Sequence, residues 1–171
     1  MYIATDLIWD MARQNRLKQK AIIIDEVWQL IGSGSSPQAA EFLVEMAKIG
    51  RAYNTSVIFA TQDINDFFSL EDGKYGKAII ANSKTKIILN LDPHEAEKCG
   101  EVLNFTATEV HKIKNFERGH GLLSSNGNNI AVRFQASALE NALITTDPDE
   151  LRKIAEEKRR HSGFDLEKQP S

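Results

Sequence analysis

At 171 residues, 42% hydrophobic and 26% charged, the chain suits one globular domain with a substantial core and is neither disordered nor fibrous. A net charge of −3 provides no global basic field, so any nucleic-acid contact must be local, and the single cysteine, Cys99, excludes an internal disulfide framework. No run approaches the ~18 apolar residues that span a bilayer, and an amino terminus carrying Asp6 and Asp10 is not a signal peptide, so the sequence reads as soluble and cytoplasmic.

Tyr2 to Lys20 is predicted to be an amphipathic helix, with Ile3, Leu7, Ile8, Met11 and Ala12 at helical spacing and a basic end from Arg13 onward. Ala21-Ile22-Ile23-Ile24 follows, an apolar run that predicts a parallel strand buried on both faces, and Asp25-Glu26 emerge at its carboxyl end. In open α/β sheets ligands sit at that edge. Two acids there can hold Mg²⁺ through water and polarise an attacking water, as the Walker B pair does in nucleotide hydrolysis. The plainer alternative is that an apolar run meets Asp-Glu by chance. Gly32 to Ser36 reads as a flexible connection.

Ser36 and Pro37 predict a helix start, with Ala39, Ala40, Leu43, Met46, Ala47 and Gly50 as its packing face. It ends at Gly50-Arg51, and Thr55 to Gln62 is a second buried strand with a polar amide at its tip. Asp72 to Asn82 is a short helix and Thr85 to Asn90 a third strand, so strand and helix alternate as in a doubly wound parallel sheet. Asp92 and Pro93 open a helix to about Leu103, and Thr106 with Glu109 forms a capping box for another to Asn115. Gly119 to Gln135 predicts an edge β-hairpin around Asn126-Gly127. Asp147-Pro148-Asp149 opens a last helix to about Arg160, leaving residues 161–171 as a frayed tail after a domain at 1–160. The basic end of that helix is best explained as a complement to the helix dipole, with a nucleic-acid patch as the minority reading.

Asp25, Glu26, Arg51, Gln62 and Asn90 are the candidate site residues, expected to converge on one edge of the sheet. Singly, each has a bland explanation: an arginine after a helix is usually a surface charge, and a glutamine at a strand end a polar exit. Ala21 to Glu26, Ile49-Gly50-Arg51, Ile58 to Asp63, Gly119 to Leu123 and Ile144 to Pro148 together resemble the carboxyl-terminal part of the large conjugation ATPases of type IV secretion systems, particularly those of mobile elements. Gly-Arg followed by Ala-Thr-Gln, the strongest motif, is shared with hexameric DNA pumps and conjugation coupling proteins.

The resemblance implies a RecA-like P-loop fold of α/β class: a parallel sheet with flanking helices, then a carboxyl-terminal β-hairpin and terminal helix. It makes Asp25 the Mg²⁺-coordinating acid and Glu26 the acid that orients water. Gln62 becomes the amide sensing the γ-phosphate and Arg51 a finger offered to the neighbouring subunit; Asn90, placed by its position at the tip of the third strand and not by the resemblance, is expected to join them in binding the nucleotide. The implied cofactors are ATP and Mg²⁺. The implied partners are further copies of the chain, as a hexamer at full length, with other conjugation or secretion machinery proteins, and with DNA as the weaker candidate. Through that machinery the protein would sit at the inner face of the cell membrane.

The phosphate-binding pattern G-x-x-x-x-G-K-S/T does not occur in these residues, so the chain is expected to be a portion of a longer motor and inactive alone. Two further functions fit the same residues. One is a DNA translocase or coupling protein of the same superfamily, and the other a non-enzymatic module that binds secretion partners through its last helix.

Overall fold

The computed structural model describes residues 2–164. They fall into two compact units, one up to residue 133 and the other from residue 134 onward.

The first unit begins with α1, Tyr2–Gln14. It stops short of Lys20 because the Asn15 Oδ1 accepts the backbone N–H groups of Leu17 and Lys18, turning the chain out of the helix. Among the residues whose burial is described, its buried side keeps only Ala12 of the predicted stripe. Trp9 and Ala12 are buried, Trp9 meeting the Tyr53 ring edge-on at 5.7 Å, whereas Leu7 and Met11 remain 62% and 63% exposed. The larger aromatic surface determines which side faces inward.

Strand β1, Lys20–Ile24, pairs in parallel with β2, Thr55–Phe59, with Ile22 opposite Val57 and Ile24 opposite Phe59. Between them lie α2, Trp28–Ile31, and α3, Pro37–Ile49. The Ser36 hydroxyl caps α3 by accepting the Ala39 N–H, and α3 buries Ala39, Ala40, Leu43, Val44 and Met46. A 3-10 turn, Gly50–Tyr53, then leads into β2. After β2 come α4, Ile64–Phe67, and α5, Lys74–Asn82. The main core joins Trp9, Ile22, Val27, Ile31, Leu43, Met46, Phe67, Tyr75 and Ile79. Among the described residues only one face of the parallel pair is packed: Ile22 is buried, while Ile23 and Ile58 are 69% and 49% exposed. The isoleucine run therefore alternates in burial instead of being covered on both sides.

The third strand, β3, Thr85–Ile88, is not part of that parallel sheet. It pairs antiparallel with β4, His120–Ser125, which pairs antiparallel with β5, Asn128–Arg133. The α/β class and the hairpin hold, but its edge partner is β3. Asn126 and Gly127, both with positive φ, make the tight turn as the Asn-Gly pair requires. Between β3 and β4 lie α6, Pro93–Leu103, and α7, Ala107–Lys114. Asp92 caps α6 by accepting two backbone N–H groups, and Thr106 and Glu109 form the predicted capping box on α7. A second core joins Ile88, Ala96, Cys99, Ile113 and Leu122.

The second unit contains α8, Ala138–Ile144, which the sequence reading missed, and α9, Pro148–Phe164. Ser137 and Glu140 form a capping box that starts α8. Because α9 continues past Arg160, residues 161–164 are helical, and the remainder of the expected tail, residues 165–171, lies outside the described residues. No helix among the described residues is long and apolar enough to cross a membrane.

Burial pushes the Cys99 thiol up to about 11, with the nearby Glu95 charge adding to the effect. A raised thiol pKa disfavours the reactive thiolate. At about pH 8 a thiol reagent should therefore label the folded chain slowly, on the order of 10²-fold below an ordinary cysteine, and reach the ordinary rate on unfolding. Labelling followed by mass spectrometry across a denaturant series measures this.

Candidate active site

The site is built where β1 and β2 end together. Beyond their last pair, Ile24 and Phe59, Ala60 donates its N–H to the Ile24 carbonyl at 2.9 Å, and Val27 donates its N–H to the Ala60 carbonyl at 2.9 Å. These two bonds carry the pairing around the Asp25-Glu26 step and keep it beside the segment that leads to Gln62. Val27 is fully buried and anchors the turn in the core.

Glu26 has φ +52, left-handed backbone that a residue with a Cβ enters at a cost of about 1 kcal/mol. The Glu26 N–H donates to the Asp25 Oδ1 at 3.0 Å and the Trp28 indole N–H donates to the Glu26 Oε2 at 2.7 Å. Asp25 is exposed, with one carboxylate oxygen engaged by that backbone N–H. Gln62 is exposed too, three residues beyond the last residue of β2.

The start of α6 adjoins this end of the sheet. Glu95 accepts the Ile64 N–H at 3.3 Å, and the Lys98 Nζ donates to the Asn65 Oδ1 at 3.2 Å. Burial raises the Glu95 carboxyl above its usual range, with the charges of Asp92 and Asp63 adding to it.

The structure thus brings together Asp25, Glu26 and the Gln62 segment, and it corrects the expected convergence in two respects, since Arg51 lies at the other end of β2 and Asn90 follows a strand of the separate antiparallel sheet. Arg51 lies on the 3-10 turn before β2, where Lys20 pairs with Thr55, at the opposite end of the strand from Gln62. Along β2 the two ends are about 13 Å apart, four steps of roughly 3.3 Å. Asn90 follows β3, and its amide nitrogen donates to the Ile113 and Lys114 carbonyls at 3.3 and 3.2 Å, which secures the end of α7.

Among the described residues there is no group of three or more His, Cys, Asp or Glu that could hold a metal unaided. One carboxylate with an open oxygen suits Mg²⁺, which keeps several waters and takes its remaining ligands from phosphates.

The pattern of the AAA-like domain family matches residues 1–131. The chain belongs to that family. Among solved structures, this AAA-like domain is similar to VirB4 of Thermoanaerobacter pseudethanolicus, with 27% identity and a TM-score of 0.75 over 81% of this chain. The match spans only 37% of that VirB4 chain. The fold is shared with B204, the DNA-packaging ATPase from Sulfolobus Turreted Icosahedral Virus, at 16% identity and a TM-score of 0.58, covering 79% of this chain and 62% of that one. It is shared also with the genome packaging NTPase B204 from Sulfolobus turreted icosahedral virus 2, solved in complex with ATP-gammaS, at 15% identity and a TM-score of 0.55, covering 77% and 62%. Among curated proteins, none matches this chain.

Sequence reasoning on this AAA-like domain missed Trp28, whose signal was an aromatic residue two positions after the second acid. Arg51 is exposed, and among the described residues no acid forms an ion pair with it. Arg51→Ala should therefore leave stability within about 0.5 kcal/mol of the parent, read from urea unfolding.

Proposed function

We propose that this chain is the acid-bearing portion of a motor ATPase of type IV secretion, which in the intact protein couples ATP hydrolysis to the transfer of DNA or protein. The observation that carries the reading is the placement of Asp25 and Glu26 beside the Gln62 segment at the carboxyl end of the parallel pair, held there by the Val27 and Ala60 backbone bonds. Family membership and the similarity to VirB4 support it.

In this reading Asp25 would hold Mg²⁺ through water, using its open carboxylate oxygen. Bound Mg²⁺ supplies neutralisation of charge on the β- and γ-phosphates. Glu26 orients the attacking water and accepts its proton. Gln62 contacts the γ-phosphate. Arg51, at the opposite end of β2 and free of any acidic partner among the described residues, serves the nucleotide of the next subunit. That assignment requires a ring of copies, taken here as a hexamer, peripheral to the membrane through its secretion partners.

Alone, the chain should show no ATP turnover above background, because the backbone cradle and lysine that normally bind the phosphates have no counterpart in its sequence. In the full-length protein Glu26→Gln should retain ATP binding and lose roughly 10²-fold or more in turnover, since the amide keeps the shape but not the basicity. Asp25→Ala should instead weaken Mg²⁺-dependent nucleotide binding. Wild-type turnover by Glu26→Gln would remove the assignment.

Arg51→Ala should reduce full-length turnover by on the order of 10³-fold or more, the loss typical of a missing arginine finger. Mixing co-assembled Arg51→Ala and Glu26→Gln subunits should restore partial activity, because some interfaces then pair an intact arginine with an intact acid. A steady-state ATPase assay on mixtures of varied ratio reads the recovery, and a flat zero across all ratios rules out action between subunits.

A further inference from the structure

The bond between Trp28 and Glu26 goes beyond the roles assigned above. Glu26 has a flexible side chain on left-handed backbone, so its carboxylate needs an external restraint to hold one direction. The Trp28 indole N–H lies 2.7 Å from the Glu26 Oε2. Trp28 is itself a rigid mount: it is the first residue of α2, it follows the fully buried Val27, and its ring packs against the main core while remaining partly exposed. An indole offers one donor and no acceptor, so it can hold a carboxylate oxygen but cannot compete for the proton that the carboxylate must accept.

We propose that Trp28 is a positioning residue for hydrolysis: its N–H fixes Oε2 of Glu26, so that Oε1 is presented to the attacking water. The inference rests on Glu26 being the water-orienting acid. It adds that the direction of the Glu26 carboxylate is set by the chain two residues on, through the core that grips the indole ring. The bond consumes no proton and leaves the second oxygen as the base. Misdirecting a reacting group by about 1 Å costs on the order of 10²-fold in rate, so loss of this one donor should appear in kcat.

The test uses the full-length ATPase with Trp28→Phe, and with Trp28 exchanged for benzothienylalanine, an isostere that keeps the bicyclic shape but carries sulfur in place of the N–H. Both should lower kcat by about ten- to hundredfold while KM for ATP changes by less than about twofold, because the lost bond acts on the water and not on nucleotide binding. The melting temperature of the isostere protein should match the parent, which separates positioning from packing. In a Glu26→Gln background, neither exchange should lower the residual turnover further. Parental kcat in the isostere protein would overturn the proposal, as would a loss accompanied by an equal fall in ATP affinity and melting temperature. Glu26→Gln, assayed alongside, distinguishes the two levels of failure: wild-type turnover there removes the water-orienting assignment itself, whereas an inactive Glu26→Gln with a fully active isostere removes only the role of Trp28.

Discussion

Everything at the candidate site depends on two backbone hydrogen bonds, from Ala60 to the Ile24 carbonyl and from Val27 to the Ala60 carbonyl. Parallel strands need a long crossover before they can pair, and here α2 and α3 provide it. Once β1 and β2 are in register, these bonds extend the pairing past the last strand residues and leave the Asp25-Glu26 step no freedom to swing away. Burial of Val27 makes the lock part of the core, so displacing the acids would expose apolar surface as well as break hydrogen bonds. The left-handed backbone at Glu26 is tolerated because the surrounding structure determines it from both sides.

The same register separates the charges. Asp25 and Glu26 follow one end of the parallel pair and Arg51 precedes the other, so a strand's length keeps the guanidinium from the carboxylates. Had they lain at the same end they could have paired, and a paired arginine would be spent on neutralising the acids. Kept apart from the acids, Arg51 is exposed, as is Asp25, while Glu26 is half-buried against Trp28.

The polar groups around the site divide between building and acting. Glu95, Lys98 and the Asn90 amide nitrogen tie α6 and α7 to the segments after β2 and β3. Glu95 keeps a raised carboxyl pKa as the consequence of burial near Asp92 and Asp63. Gln62 and the free oxygen of Asp25 are exposed to solvent beside them. On the opposite face of the parallel pair, Ile23 and Ile58 remain exposed, which shows how little of that face the described residues cover.

Local chemistry made much of this legible from the sequence alone. Ser36 with Pro37, Asp92 with Pro93, Thr106 with Glu109 and Asn126 with Gly127 are contacts or turns within a few residues, and each formed as their side chains dictate. The β1 and β2 segments and the acids after β1 were readable for the same reason, since an apolar run ending in charge is a local pattern. Long-range pairing was decided by the tertiary structure. Thr85 to Ile88 has the composition of any buried strand, and only its antiparallel ladder with β4 takes it out of the parallel sheet. The burial of Trp9 in place of Leu7 and Met11, and the position of Arg51 at the far end of β2, likewise depend on which surfaces meet. Side-chain periodicity states that a face exists, but whether anything packs against it is settled by distant parts of the chain. The hold of Trp28 on Glu26 combines the two: the residues are neighbours in sequence, yet the indole can serve as a fixed donor only because the folded core grips its ring.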